Sequence, residues 1–405
     1  MNKLKDSGIP WFGEIPEHWK VEKAKNLFSL RTSKGNDVLE HLAATQTHGM
    51  YPQRLLEGVV QVAINTDYTQ FRTVHKNDYV ISLRSFQGGF EISEYEGVCS
   101  PAYQVFYNQI PICHNYFKVL FKSVSFIEFM NSLTVGIREG KNIQFTDFAR
   151  SYLPVPPLEE QERISTYLDE KCGEIDELID VEQQMISDLE SYRQAVITEA
   201  VTHGINPIAT TKPTAIPWVP SIPEQWKEIR LKFLSRISTG DKDTIMANDE
   251  GEYPFFVRSP KIERINTYSY DGEAILMAGD GVGAGRVFHH FIGKFDWHQR
   301  VYNMHELTYN IYGRFLFYFL LTNFHKLIDA GSAKSTVDSV RLPMLTNFIT
   351  LVPPLSEQKE ISNYLDTKCA EIDELIKVKQ EKIETLKQYR QSLIFEAVTG
   401  KITIV

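Results

Sequence analysis

Two short runs hold side chains of the kinds that grip nucleic acid. Arg84, Ser85 and Gln87 stand in SLRSFQGGF (82–90), and Arg286 follows the glycines of GDGVGAGR (279–286). An arginine fork fits the O6/N7 edge of guanine, a glutamine or asparagine amide fits adenine, and lysine or hydroxyl groups fit phosphate. More such residues come in clusters. Arg138, Lys141 and Asn142 lie in REGKN, and Lys334, Ser335 and Thr336 in SAKST. Arg258 and Lys261 form another group, and His298, Gln299 and Arg300 a further one. A solvated surface accounts for any one of these equally well. The post-helix loops REGKN and SAKST, taken as a pair, favour DNA, because two domains then place cationic loops at one site.

Rival chemistries fit less well. Gly279, Gly281, Gly283 and Gly285 invite a nucleotide-binding reading, but a strand-like run follows them instead of a helix. Without a helix N-terminus no dipole holds a phosphate, so a tight strand-to-strand loop that packs closely or approaches DNA is expected. GIREGKN (136–142) lacks one spacer residue and the hydroxyl after lysine that a P-loop needs. The Asp/Asn-Pro-Pro-aromatic motif of an adenine methyltransferase is missing; the Pro-Pro pairs stand in Val-Pro-Pro-Leu at 155–158 and 352–355. Any base to be flipped and methylated falls to a partner chain. The four cysteines show no CxxC spacing, and no metal or disulfide role is expected. Trp11, Trp19, Trp218 and Trp226 read as packing residues rather than base-stacking platforms.

The elements that would position these residues are written twice. PPLEEQERISTYLDEKCGEIDELI (156–179) returns as PPLSEQKEISNYLDTKCAEIDELI (353–376), and 30 of 47 positions from Pro156 and Pro353 are identical. A fainter pair opens each half, IPWFGEIPEHWK (9–20) and IPWVPSIPEQWK (216–227). Between these anchors the halves diverge. Apolar residues at Ile164, Leu168, Ile175, Ile179, Ile186, Leu189 and Val196 form a coiled-coil seam, repeated from Ile361 to Leu393. Glu182 and Lys379 take equivalent seam positions. The fold class expected is α+β: two similar globular domains separated by a long antiparallel two-helix coiled coil, with a pseudo-twofold internal repeat. The boundaries read as 1–155, 156–206 for the first helix, 207–352, and 353–405 for the second.

Within the first domain, strands are expected at 59–64, 78–83 and 102–107, then one helix over 116–133. The second domain repeats that order, with strands at 273–278, 285–290 and 299–304 and a helix over about 311–329. Residues 203–217, rich in Pro and Thr, read as a linker. The net charge of −9 argues against DNA until it is divided. Residues 156–203 carry 3 basic and 13 acidic side chains, whereas the two variable domains together are near neutral. Each therefore has room for a basic face. The apolar stretch 315–324 is too short to cross a bilayer, and the N-terminus has no apolar run behind its lysines, so a reduced cytoplasmic protein is expected.

The two openings, the helix starts PPL-x-EQ and EIDELI, and the closing YRQ…EAVT at 192–202 and 389–399 resemble the specificity subunit of a Type I restriction–modification system. The resemblance covers essentially the whole chain. It implies a non-catalytic subunit whose target recognition domains each read one half of a split site in double-stranded DNA. It also implies helices that dock two methyltransferase subunits, with nuclease–translocase subunits joining through them. S-adenosylmethionine would then belong to the methyltransferase, and no cofactor to this chain. A coiled-coil scaffold with no role on DNA is the alternative.

Overall fold

Each Ile-Pro motif builds a short hairpin, because proline ends a strand that it cannot donate into. Leu4–Asp6 pairs antiparallel with Glu14–Pro16, and Thr211–Pro213 with Ser221–Pro223. A turn follows in both copies: the Trp19 amide donates to the Pro16 carbonyl and the Trp226 amide to Pro223, each at 3.0 Å. Those turns throw the indoles inward, where both are fully buried. Trp11 stacks on Phe129 and Trp218 on Phe348, so all four tryptophans are packing residues. The computed structural model describes residues 3–9, 11–35, 40–56, 68–133, 143–331 and 339–404. The chain divides into two units, Met1–Glu182 with Glu381–Val405, and Gln183–Gln380.

In the first unit, Lys20–Lys23 pairs antiparallel with Tyr152–Val155, the strand that leads into the first long helix. A four-stranded antiparallel sheet runs in the order Phe28–Leu30, Gln104–Asn108, Tyr79–Ile81, Glu91–Ile92. Its core is aromatic, with Phe28, Tyr79, Phe90, Phe106, Phe121 and Phe148 in ring contact. The single helix expected over 116–133 is in fact two, His114–Lys122 and Val124–Ser132. Ser123 breaks it: its hydroxyl donates to the Leu120 carbonyl at 2.7 Å and accepts from the Phe126 amide. A serine that caps a new helix outcompetes a continuous apolar period.

The second unit repeats the frame. Lys227–Arg230 pairs with Ile349–Val352 ahead of the second long helix. Six strands follow the order Arg236–Thr239, Val301–His305, Tyr270–Ala278, Phe288–Trp297, Tyr253–Phe256, Glu263–Ile265. One pairing, Phe255 with Asp296, is parallel. The helix Gly313–Gly331 covers the sheet, burying Phe315, Phe319 and Phe324 with Ile275, Met277 and Met304. Two expectations are corrected here. The stretch 203–217 is no bare linker, since it supplies the hairpin strand Thr211–Pro213. The strand expected from 285 starts at Phe288, because Gly285 to Val287 turn back on the loop. The strand read at 59–64 and the loops at 138–142 and 334–336 lie outside the described residues.

The long helices are Leu158–His203 and Leu355–Val398. Their partnership is antiparallel within each unit. In the first, Asp176 meets Arg390 at 3.0 Å and Glu182 meets Lys382 at 2.6 Å; in the second, Arg193 meets Asp373 at 2.6 Å. The expected seam is buried at Ile164, Leu168, Ile361 and Leu365 and part-buried at Ile186 and Leu386. Gly204 and Gly400 stop the helices with φ of +78° and +68°.

Glu182 is buried in that seam beside the half-exposed Lys382. By the repeat, Lys379 occupies the position of Glu182 on the second helix, so pairing that helix with a second copy of itself would set Lys379 against Lys382. The Glu182–Lys382 pair thus favours first-with-second pairing. Glu182→Gln is expected to cost about 1 kcal/mol, since Lys382 retains access to water. Urea unfolding at low and high salt reads both the cost and its screening.

Candidate nucleic-acid interface

In the first unit, the strand Tyr79–Ile81 delivers the chain to a one-turn helix, Ser85–Gly88, with Arg84 at its N-cap. Arg84 and Gln87 are exposed. Gly89 is fixed at φ +76°, where any Cβ would collide with the Phe121 carbonyl. Ser85 is a correction: it is buried, and its hydroxyl accepts from the Ser82 amide at 2.8 Å. It shapes the loop and does not face out. Two cations not singled out from sequence stand nearby. Lys118 and Lys122 line a cleft of about 240 Å³ with His48, Tyr51 and Tyr95. Lys122 holds the buried Glu91 carboxylate at 2.7 Å; burial pushes the Glu91 pKa up and Lys122 pulls it partly back. Helical spacing places both lysines on one face, a signal visible in the sequence.

In the second unit, strand pairing brings distant residues together. Arg258 and Arg300 converge on Asp280, at 3.1 and 3.7 Å. Asp280 lies inside the glycine run, and the loop is strand-to-strand, joining Tyr270–Ala278 to its antiparallel neighbour Phe288–Trp297. The Gly279 amide donates to the Arg300 carbonyl at 2.8 Å, and a Cβ at Gly283 would meet the Arg258 carbonyl at 2.7 Å. The loop is therefore bound to both arginine-bearing segments. Gln299 is exposed and donates to Asp243 at 3.1 Å. Arg286 reaches Asp329 at 2.7 Å, and Lys261 reaches Glu263 at 3.3 Å. Each guanidinium keeps exposed donors beyond its carboxylate, which aims it without covering it.

His298 is the second correction. It is buried, and its Nδ1 accepts from the Arg300 amide at 2.9 Å. Burial first, then neighbouring Arg258, lower its pKa, so the ring is neutral at pH 7 and serves the turn. In this unit Asp280 and Asp243 are residues that sequence reading missed. Acidic side chains in a cation cluster carry no motif of their own.

Two different loop sets on one repeated frame, joined to duplicated helices, define the molecule to be compared. The family model described as Type I restriction modification DNA specificity domain matches residues 16–191 and again 223–385. The chain belongs to that family. It is similar to the EcoDI specificity subunit of a Type I restriction enzyme of Escherichia coli, 33% identical over 183 residues. That match takes in 45% of this chain and spans 40% of the relative's own length. The MjaVIII specificity subunit of Methanocaldococcus jannaschii is 22% identical over 96% of this chain and 94% of its own. Two solved structures share the fold. One, described as explaining complex assembly and conformational transition of the type I R-M system, has a TM-score of 0.71 at 16% identity. It covers 96% of this chain and 99% of its own. The HsdS subunit from Thermoanaerobacter tengcongensis gives 0.51 at 16% identity, covering 96% and 98%. Family membership assigns DNA sequence specificity within Type I restriction–modification. Among the described residues no helix is long and apolar enough to cross a membrane.

Proposed function

We propose that this specificity subunit is non-catalytic and reads a bipartite, asymmetric site in double-stranded DNA, one half per unit. The carrying observation is the contrast between a repeated frame and unrepeated loops. Arg84 and Gln87 in the first unit, and Arg258, Gln299 and Arg300 in the second, sit in dissimilar turns that follow different strands. Equal frames with unequal loops read unequal sequences. REGKN and SAKST, with Arg138, Lys141, Asn142, Lys334, Ser335 and Thr336, are proposed to hold phosphates and neighbouring base edges in the two halves.

We further infer that the helices dock two copies of a methyltransferase, through which nuclease–translocase subunits join. Leu178, Val181 and Tyr192 are about half exposed on one face of the first long helix; Leu375, Val378 and Tyr389 are equally exposed at the matching positions of the second. An apolar stripe kept in both copies, away from the seam, suits one kind of partner bound twice. The same stripe would serve a scaffold with no role on DNA, and one experiment separates the two. The chain and its methyltransferase are mixed with random-sequence duplexes, and bound DNA is sequenced. Two short motifs at a fixed spacing are expected. One contiguous motif would overturn the bipartite reading; no enrichment would favour the scaffold.

A further inference from the structure

The glycine loop of the second unit carries an aliphatic side chain in full contact with water. Val282 is 96% exposed at its tip. Scattered apolar residues on a surface are ordinary, and exposure alone assigns nothing. The construction of this loop is the informative part. Gly281 and Gly285 take φ of +74° and +62°. The Ala284 amide donates to the Gly281 carbonyl at 3.0 Å, and the Arg286 and Val287 amides both donate to Gly283 at 3.0 Å. The Gly285 amide closes on Ala278 at 2.9 Å. The tip is thus a fixed turn, and its base is bonded to the segments bearing Arg258 and Arg300. A second aliphatic, Ile245, is 90% exposed on the other flank. Its turn is capped by Asp243, whose other oxygen accepts from Gln299. Two aliphatic tips therefore border the turn that holds Gln299 and Arg300.

Rigid apolar contact beside guanidinium and amide donors matches one feature of a DNA edge. In the major groove thymine alone presents a C5-methyl group, next to acceptors that arginine and glutamine recognise. A protein partner would call for a broader apolar patch than one valine between paired charges. We propose that Val282 is a specificity-determining residue that packs on the C5-methyl of a thymine in the half-site read by the second unit. This rests on the DNA-reading function proposed above.

The test uses the full chain with its methyltransferase and a duplex enriched from the random pool. Each thymine is replaced in turn by deoxyuracil, which removes the methyl group and leaves base pairing intact. The wild type is expected to lose about fourfold in affinity at one thymine of the second half-site, as one methyl-sized contact implies. Val282→Ser is expected to bind more weakly and to be indifferent to that replacement, with an unchanged salt slope. Val282→Ile is expected to keep the sensitivity. A Val282→Ser protein as sensitive to deoxyuracil as the wild type would overturn the contact, and so would a wild type indifferent at every thymine of that half-site. Both outcomes leave DNA reading intact. Failure of the wild type to enrich any duplex would remove the DNA-reading function itself, and the contact with it. Being solvated, Val282 can change without disturbing the core.

Discussion

Trp226→Ala is expected to destabilise the second unit by about 3–5 kcal/mol, the range for emptying a buried aromatic site. The indole is fully buried, meets Phe315 edge-on at 6.3 Å, and lies where a Cβ on Gly204 would find it at 3.3 Å. It therefore closes the opening of the unit against the end of the first long helix. Trp19 does the same in the first unit: a Cβ on Gly400 would meet its ring at 2.9 Å and Pro16 at 2.5 Å. Urea unfolding followed by tryptophan fluorescence and by circular dichroism would measure both variants, and with two units present the probes need not coincide. A cost below about 1 kcal/mol would mean that the ring is not a packing residue, and would reopen base stacking as its role.

The next largest effect is expected at the glutamines of the PPL-x-EQ motif. Gln358 is fully buried; its Oε1 accepts from the Tyr312 amide at 2.8 Å, and its Nε2 donates to the Asn310 and Pro353 carbonyls at 2.9 and 2.8 Å. One side chain thus ties the start of the second long helix to the turn before the helix Gly313–Gly331. Gln161 repeats this with two bonds, accepting from the Cys113 amide and donating to Pro156, each at 2.9 Å. Gln358→Ala removes the side-chain partner of three backbone groups, one bond buried and two part-buried, a loss of about 3 kcal/mol; Gln161→Ala, removing two such bonds, should cost about 2 kcal/mol. Hydrogen exchange offers a local readout, with the Tyr312 amide losing protection in the first variant and the Cys113 amide in the second. Equal losses, or protection unchanged, would show that the motif is kept for something other than these bonds.

Much of the frame was nonetheless legible in the chain. The Ile-Pro openings and the seam act through nearby residues or through a helical period, and both are written locally. PPL-x-EQ stands out because it is written twice, although its glutamines also bond to residues 46 to 48 positions away. Repetition at a constant offset then shows that the frame occurs twice. Locality also sets the limit. The break at Ser123 lay inside an unbroken apolar period, and only the hydroxyl's bonds to Leu120 and Phe126 reveal it. Ser85 and His298 were of the right types, yet their polar atoms are used within their own turns.

By itself, then, the sequence determined the family, the α+β class, the doubled helix and the absence of a phosphate-holding helix behind the glycine run. The tertiary structure decided which loops act together. Arg258 and Arg300 meet at Asp280, and Gln299 meets Asp243 fifty-six residues away, because six strands pair in an order that the chain does not follow. Strand order is a long-range choice made by burying apolar faces against the helix Gly313–Gly331, and no residue's neighbours in sequence record it.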